Sequence, residues 1–387
     1  MKFEQPGSLF SPEQEQLMRA SEPVTPEDYV PEVLPSTGEK LAIVVNQEHA
    51  FKVIDNIMEA YRTGQPPYNR EETRLPQDPR HMPERLNLGG IDHAMFLFNI
   101  CNYMRGGTGS ITAVKCMARV YDEWPELFDC KVAIDADPED IADVLTRNGL
   151  GFQKRVARDL KENSRRLLER YDGDPRKIFD GITSYEESLE LVMNDGRGNG
   201  FVGFREKMTS MLTYYLVDAG LIEQFDFPAP IDLHFMRVSI ANEMISVPDA
   251  PYGTNLYTDE VTAALRKLYF DYVVEKQVDP IAVTDAVWML SESSCGTHPG
   301  NSTSEPFGRS RRNGRKTYLI PGVVDPSNPV QRAAYASTCA ICPIEKTCEF
   351  NIPGTHYYVG GSVIFRCKRM RFPISQSITE STQESLF

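Results

Sequence analysis

A lysine and an aspartate lie in two neighbouring segments where each could take part in covalent chemistry. In GRGNGFVGFREKMTSM (196–211), a turn leads into an amphipathic helical pattern that carries Lys207 in its first turns. In PAPIDLHFMRV (228–238), Asp232 follows two prolines and stands where a helix N-cap belongs. A deprotonated lysine amine is a nucleophile, and a carboxylate stabilises developing positive charge. The simpler interpretation is a surface lysine and a structural cap.

The turn before Lys207 is itself a candidate binding feature. It contains Gly200 and Gly203, and a turn of this kind exposes backbone N–H groups beside a helix N-terminus. Such an arrangement can hold one phosphate group without reading any base. The alternative is an ordinary loop that closes onto a helix.

Five of the eight cysteines fall in the last quarter of the chain. Three of them, Cys339, Cys342 and Cys348, lie close together in CAICPIEKTCEF. Thiolates at this spacing suit either an iron–sulfur cluster or a structural zinc ion with one further ligand. The candidates for that further ligand are Cys295, Cys367 and His298.

Charge is distributed unevenly along the chain. The 387 residues hold 41 Lys and Arg against 55 Asp and Glu, a formal net charge of −14. Residues 1–294 hold 30 basic and 49 acidic side chains, whereas residues 295–387 hold 11 basic and 6 acidic ones. The densest basic run is GRSRRNGRK (308–316). The acidic total argues against a nucleic-acid partner, so any such binding is expected on the C-terminal side and should be sensitive to salt. The alternative interpretation of this basic run is a solvent-exposed charged surface without a binding role.

Apolar spacing predicts a mainly helical protein. Segments with a 3.6-residue apolar period predict helices over 46–62, 92–105, 110–122, 138–147, 152–171, 184–193, 204–218, 233–245, 257–276 and 281–293. HYYVGGSVIF, which alternates around Gly360 and Gly361, predicts a terminal β-hairpin. The sequence has neither a secretory signal at its N-terminus nor the run of about 18 apolar residues that a membrane helix needs, so we expect a cytoplasmic protein.

Taken together, these motifs resemble the helix–hairpin–helix base-excision DNA glycosylases, and endonuclease III most closely. The family pattern is a hairpin of the type L-P-G-V-G, a catalytic lysine just after it, and a catalytic aspartate that opens a later helix. FVGFREK with Lys207 and IDLHFMRV with Asp232 are similar to this pattern. CAICPIEKTCEF is similar to the family's iron–sulfur loop, and the resemblance covers residues 92–350 in the expected order.

The resemblance implies a mainly α, two-lobed fold of the HhH-GPD type, with a C-terminal iron–sulfur loop and a short terminal β-hairpin. The implied segments are an N-terminal extension (1–90), a helical glycosylase core (91–294), a cysteine-rich segment with a basic insert (295–350), and a hairpin with a tail (351–387). The implied function is a DNA N-glycosylase with abasic-site lyase activity. Such an enzyme would act as a monomer on a damaged or modified base flipped out of duplex DNA.

The resemblance also implies roles for individual residues. Lys207 would be the nucleophile that forms a Schiff base, and Asp232 would act electrostatically or as a base. The residues expected to contact DNA are Gly200, Gly203, Arg205, Arg309, Arg311, Arg312, Arg315 and Lys316. Those expected near the flipped base are Asn102, Tyr103, Arg105 and Leu150, the last of which could fill the gap in the base stack. The ligands expected for a [4Fe–4S] cluster, with structural zinc as the alternative, are Cys295, Cys339, Cys342 and Cys348.

The chain departs from the family pattern in three places. Arg205 stands where the family has a second hairpin glycine, the connection from Lys207 to Asp232 is longer, and 43 residues separate Cys295 from Cys339. These departures keep two other functions open. One is an N-glycosidase of the same fold that acts on a free modified nucleotide or on RNA. The other is a non-catalytic DNA-binding module that carries a cluster.

Overall fold

The computed structural model describes residues 42–70, 75–104, 110–151, 153–194, 200–247, 256–295, 329, 333 and 336–348, together with the backbone of strands 356–359 and 362–365. Within these ranges no helix is both long enough and apolar enough to cross a membrane.

Helices make up most of the described chain, as the apolar spacing predicts. They are α1 (Gln47–Arg62), α2 (Ile91–Tyr103), α3 (Ser110–Glu123), α4 (Cys130–Asp135), α5 (Pro138–Arg147), α6 (Gln153–Tyr171), α7 (Tyr185–Val192), α8 (Glu206–Asp218), α9 (Leu233–Ala241), α10 (Asp259–Lys276) and α11 (Pro280–Leu290). The strands are β1 (Val44–Val45), β2 (Ile245–Ser246), β3 (His356–Val359) and β4 (Ser362–Phe365). Antiparallel pairing of β3 with β4 confirms the predicted terminal hairpin.

Two elements differ from the helical pattern. The spacing predicts one helix over 233–245, but α9 ends at Ala241, and β2 pairs antiparallel with β1. This pair joins segments about 200 residues apart, a contact that no local pattern can indicate. Helix α4 is six residues long, too short to show a clear period, and it starts where the Asp129 side chain accepts the Lys131 N–H at 2.8 Å.

The chain forms two compact units, each built from separate segments. The central unit comprises Arg70–Phe235 and Thr262–Met289. The terminal unit comprises Met1–Asn69, Met236–Val261 and Leu290–Phe387. Two units agree with the expected two-lobed architecture. The boundaries after residues 90, 294 and 350 stay predictions.

The core of the central unit lies among helices α2 to α8. Helix α6 packs against α4 and α5, and α2 packs against α8. Phe98 of α2 stacks on Phe204 at 5.4 Å between ring centroids and meets Phe201 edge-on at 5.0 Å. These rings attach the turn before α8 to the core, because both phenylalanines of the turn are fully buried.

In the terminal unit, helix α1 is attached to the chain that follows α9. The backbone N–H of Asn46 donates to the Met244 carbonyl at 3.1 Å, and Nε2 of His49 lies 2.7 Å from the Asn242 carbonyl. The residues that form the buried face of α1 are Ala50, Phe51, Val53, Ile54, Ile57, Met58 and Ala60. The start of α1 therefore has a fixed position in this unit.

Candidate active site

The turn before α8 requires glycine. Gly200 has φ +61°, and a Cβ atom there would lie 2.2 Å from the carbonyl oxygen of Met193. Gly203 has φ +84°, also in the left-handed region. The Phe201 N–H closes the turn by donating to the Val192 carbonyl at 3.0 Å. The left-handed backbone at both positions, and the lack of space for a Cβ atom at position 200, therefore explain why glycine occurs there.

Asn163 of α6 holds the same turn from the side. Its Oδ1 accepts the Val202 N–H at 2.6 Å, and its Nδ2 donates to the Val202 carbonyl at 3.1 Å. Asn102 supports this amide, because its Oδ1 accepts from Asn163 Nδ2 at 2.7 Å. Arg166, one turn further along α6, donates to the Gly200 carbonyl at 2.8 Å. Side chains of α6 thus form hydrogen bonds with the Val202 N–H and with the carbonyl groups of Val202 and Gly200 in the turn.

We expect Asn163→Leu to lower the free energy of unfolding by about 2 kcal/mol, because it leaves both Val202 backbone groups and the Asn102 carbonyl without this partner. Urea unfolding measures the change. Glu169→Ala, in the exposed ion pair with Arg165 on the same helix, should change stability by no more than about 0.5 kcal/mol. Equal stability of the Asn163 variant and the wild-type chain would contradict this role.

The N-terminus of α8 has no side-chain cap. Arg205 occupies the N-cap position with φ −126°, and within the described ranges its side chain makes no capping hydrogen bond. The first N–H groups of a helix have no partner within the helix, and they attract anions. Because φ at Arg205 is negative, the position does not need the second hairpin glycine of the family pattern. The exposed Arg205 side chain adds a positive charge beside these N–H groups.

Lys207 lies in the first turn of α8 and is half-buried. Met211, Tyr214 and Tyr215 follow at intervals of four, seven and eight residues, so they share its helix face. Burial raises the pKa of the Cys101 thiol, and the positive charge of Lys207 opposes this rise. The amine therefore lies near a buried thiol of α2, not on a fully solvated surface.

Asp232 caps α9, as its position after the two prolines predicts. Its Oδ1 accepts the backbone N–H groups of His234 at 2.8 Å and Phe235 at 3.3 Å, and the residue is 6% exposed. Burial raises the pKa of Tyr215, and the Cys101 and Asp232 charges raise it further. Capping engages one carboxylate oxygen, which leaves Oδ2 for another contact.

A small cavity of about 20 Å³, partly open to solvent, lies beside Asp232 within the central unit. Much of its wall is aromatic and comes from Tyr214 and Tyr215 of α8, Phe235 of α9 and Trp288 of α11. Met211 also lines it, so the α8 face that begins with Lys207 reaches the cavity. A cavity of this size has room for about one water molecule, beside the Asp232 carboxylate.

The residues expected near the flipped base lie in the core of the central unit. Asn102 is fully buried and takes part in the Asn163 hydrogen-bond network, while Tyr103 and Leu150 are 4% and 3% exposed. Leu150 closes the turn after α5 through its N–H, which donates to Leu145. Arg105 lies outside the described residues. Contacts of this group with a base stay predictions.

Gln77 and Trp288 were missed as candidate site residues. Both line the cavity beside Asp232. Gln77 lies in a Pro- and Arg-rich segment that shows no periodic pattern, and Trp288 reads as one apolar residue among others on a helix. No sequence signal marks either residue.

The four cysteines expected as cluster ligands lie in the terminal unit. Cys295 and Cys348 pack against Ala241 of α9. Burial raises the pKa of Cys295 to about 11. Burial also raises the pKa of Cys339 and of Cys342, and the charges of neighbouring cysteines raise both further. The thiols thus lie within electrostatic reach of one another. Among the described residues, however, no three His, Cys, Asp or Glu side chains are placed so that they could hold a metal ion.

Tyr68 lies beside these cysteines. Burial raises its pKa, and the charges of Cys342 and Cys295 raise it further. Its ring meets that of Tyr61 in α1 edge-on at 5.3 Å. An aromatic side chain at this place limits access of water to the thiols.

Several residues with predicted roles lie outside the described ranges, so their roles stay predictions. They are Arg309, Arg311, Arg312, Arg315 and Lys316 of the basic run, and the alternative ligands His298 and Cys367.

No protein-family model and no curated protein matches the chain. The Methanocaldococcus jannaschii 8-oxoguanine glycosylase/lyase, in complex with a 15mer DNA containing 8-oxoguanine, is 14% identical with a TM-score of 0.39, covering 63% of this chain and 98% of that one. A thermostable thymine-DNA glycosylase is 16% identical with a TM-score of 0.40, covering 64% and 88%. The 8-oxoguanine DNA glycosylase of Thermotoga maritima is 16% identical with a TM-score of 0.38, covering 63% and 97%.

All three TM-scores lie below 0.5. The solved structures that the chain partly resembles are DNA glycosylases, the class of enzyme that its sequence motifs also resemble.

Proposed function

We propose that this chain is a DNA N-glycosylase with an associated abasic-site lyase activity, which removes a damaged or modified base. The observation that carries the proposal is the placement of Asp232. Its carboxylate caps α9 through one oxygen and lines a cavity that is also lined by the α8 face on which Lys207 lies. Lys207 is not itself a lining residue, but it lies one helical turn before the lining residue Met211. A carboxylate and an amine are the two groups that base removal followed by strand cleavage requires.

Asp232 supplies a fixed negative charge in this proposal. Breaking the bond between C1′ and the base nitrogen leaves positive charge on the sugar, and a carboxylate close to C1′ stabilises that charge. Two backbone N–H groups already hold Oδ1, so the carboxylate need not reorient during the reaction. Preorganisation of this kind is a large part of electrostatic catalysis.

Lys207 is the nucleophile. Its neutral amine attacks C1′ and forms a C–N bond, while the base leaves with the electrons of the broken bond and takes up a proton. The sugar ring then opens to a Schiff base on Nζ, which permits β-elimination of the 3′ phosphate. The position of Lys207, one helical turn before the cavity-lining residue Met211 on the same face of α8, supports this role.

The turn and the start of α8 bind one DNA phosphate. The uncapped N–H groups of the first turn and the exposed Arg205 favour an anion there. Binding of this kind releases counterions, so affinity for DNA should fall as the salt concentration rises.

A [4Fe–4S] cluster, held by Cys295, Cys339, Cys342 and Cys348, belongs to the same proposal. The donor chemistry fits, because these residues offer four thiols, of which Cys295 and Cys339 are buried and the other two are partly buried. When bound, the group would stabilise the loop that carries its ligands. The thiols would lose their protons on binding, since the thiolate is the ligand.

We expect protein purified without oxygen to be brown and to contain iron and sulfide. Cys348→Ser should lower the iron content severalfold, because a thiolate ligand is lost. Cys116→Ala, which changes a buried cysteine of the central unit, is the matched control and should retain iron. Stoichiometric zinc without iron would contradict the cluster.

The function is tested by a screen of base release from duplexes, single strands and free nucleotides that carry modified bases. Borohydride reduction with abasic-site DNA accompanies the screen, and a covalent protein–DNA adduct is the expected result. Base release from a mononucleotide without an adduct would favour the alternative N-glycosidase. DNA binding with neither activity would favour a non-catalytic module.

A further inference from the structure

The cysteine loop, residues 339–348, is ordered by turns of its own backbone. The Cys342 N–H donates to the Cys339 carbonyl at 3.1 Å, and the Cys348 N–H donates to the carbonyl four residues earlier at 3.0 Å. These bonds set the positions of three candidate ligands relative to one another. They act within the loop, whereas the fourth candidate, Cys295, is separated from the loop by 43 residues.

The end of α9 contacts both parts of this ligand set. Ala241, the last residue of α9, is fully buried. Cys295 forms a buried cluster with it, and Cys348 packs against the same cluster. A long connecting segment restricts the distance between its two ends only weakly. Contact with α9 therefore restrains the position of the loop relative to Cys295.

Asn242, the residue after Ala241, adds a hydrogen bond to the loop. Oγ1 of Thr347 lies 2.8 Å from Asn242 Oδ1 and 3.1 Å from the Ile344 carbonyl oxygen. A hydroxyl has one hydrogen, and the shorter of these two contacts is the one with Asn242. Asn242 is fully buried, so water does not compete for this bond. The hydroxyl thus attaches the loop to α9 beside the contact of Cys348 with Ala241.

The orientation of the Asn242 amide is fixed by its other partners. Its Nδ2 donates to the Val238 carbonyl at 2.8 Å. A carbonyl oxygen can only accept, so the amide oxygen is the atom that accepts from Thr347. The backbone carbonyl of Asn242 lies 2.7 Å from Nε2 of His49 in α1. Asn242 is therefore held by α9 and by α1, and the acceptor for the loop is preorganised.

We propose that Asn242 and Thr347 are positioning residues for the metal group, an inference that rests on the cluster in the proposed function. Their hydrogen bond holds Cys348 against Ala241, next to Cys295, and so sets the relative position of ligands that come from distant segments of the chain. Residues that orient metal ligands in this way typically contribute about 10–100-fold to metal affinity. Both residues act through the cysteines.

The test compares two substitutions of Thr347 in protein purified without oxygen. Thr347→Val removes the hydroxyl and keeps the size of the side chain, so iron should pass to a chelator at least about tenfold faster than from the wild-type chain. Thr347→Ser keeps the hydroxyl and should release iron at nearly the wild-type rate. Thr63→Val, which removes a hydroxyl that donates to the Glu59 carbonyl at 2.7 Å, is the control and should leave the rate unchanged. The absorbance of the iron–chelator complex measures release.

A double variant tests whether the two residues act through one bond. Asn242→Leu should also accelerate iron release, and Asn242→Leu combined with Thr347→Val should release iron no faster than Asn242→Leu alone. Additive effects would overturn the inference. So would wild-type release from Thr347→Val, or equal acceleration by Thr347→Val and Thr347→Ser.

Visible circular dichroism separates positioning from general stability. The spectrum of an iron–sulfur group depends on the arrangement of its ligands, so Thr347→Val should change it and Thr347→Ser should not. Asn163→Leu, which is expected to destabilise the central unit, should change neither the spectrum nor the rate of iron release. A wild-type spectrum in Thr347→Val would contradict the positioning role.

Failure of this inference and failure of the proposed function give different results. Bound iron with equal release from the wild-type chain and Thr347→Val would reject the positioning residues and keep the cluster. Zinc without iron would reject the cluster, while faster zinc release from Thr347→Val would keep the positioning role. A wild-type chain with neither metal would overturn both. Absence of base release and of an adduct, together with faster iron release from Thr347→Val, would reject the glycosylase and keep the positioning residues.

Discussion

Asp232→Asn should reduce base release by about 10²–10³-fold or more without unfolding the protein. The substituted amide oxygen can still accept the N–H groups of His234 and Phe235, so the cap of α9 is retained. The negative charge that stabilises the sugar in the transition state is lost. Single-turnover base release on the substrate found in the screen measures the effect, and thermal unfolding checks the fold.

Two further variants separate the charge of Asp232 from its capping role. Asp232→Ala removes both, so it should lower stability by about 1 kcal/mol in addition to the loss of activity. Asp137→Asn changes a comparable cap, whose Oδ1 accepts the Glu139 N–H at 2.8 Å at the start of α5, and should leave base release unchanged. Full activity of Asp232→Asn would reject the proposed mechanism.

Lys207→Ala should abolish the borohydride adduct with abasic-site DNA, because borohydride traps only a Schiff base and the nucleophilic amine is gone. We expect the adduct yield to decrease at least about 10²-fold. This is the smallest decrease in rate that loss of one catalytic group usually causes. The adduct is measured as a shifted band in denaturing electrophoresis.

Lys207→Arg distinguishes the nucleophile from a simple cation. The guanidinium keeps the positive charge and hence much of any attraction to DNA phosphates, but it stays protonated and forms no Schiff base. Equal DNA affinity without an adduct is therefore expected. Lys154→Ala, at an exposed lysine of α6, is the control and should retain the adduct. An undiminished adduct in Lys207→Ala would assign the lysine only a binding role.

Local signals predicted much of the helical framework. The periods over 46–62 and 138–147 agree with α1 and α5, because the apolar faces and the capping residues lie within the same few turns. The N-cap position of Asp232 follows from the two prolines before it in the same local way. The pairing of β1 with β2, in contrast, joins distant segments and truncates the helix expected over 233–245.

The candidate site was partly predictable because some of its residues lie in local sequence patterns. Lys207, Asp232 and the closely spaced cysteines stand in short motifs that can be read from residue types and spacing. Asn102, expected near a base, instead supports the turn through Asn163, and this contact spans 61 residues. A side-chain type alone does not distinguish these two uses, because an amide hydrogen-bonds equally well to a base or to another amide.

The sequence by itself determined the order of the longer helices, the glycine turn before Lys207 and the chemical groups available for reaction. Only the tertiary structure decided which polar atoms are paired and which are not. Gln77 becomes an oriented acceptor because Tyr214 and Asp218, both more than 130 residues away, take its two amide hydrogens. The physical reason is that a buried polar atom depends on its neighbours in space, and distant neighbours leave no local pattern in the sequence.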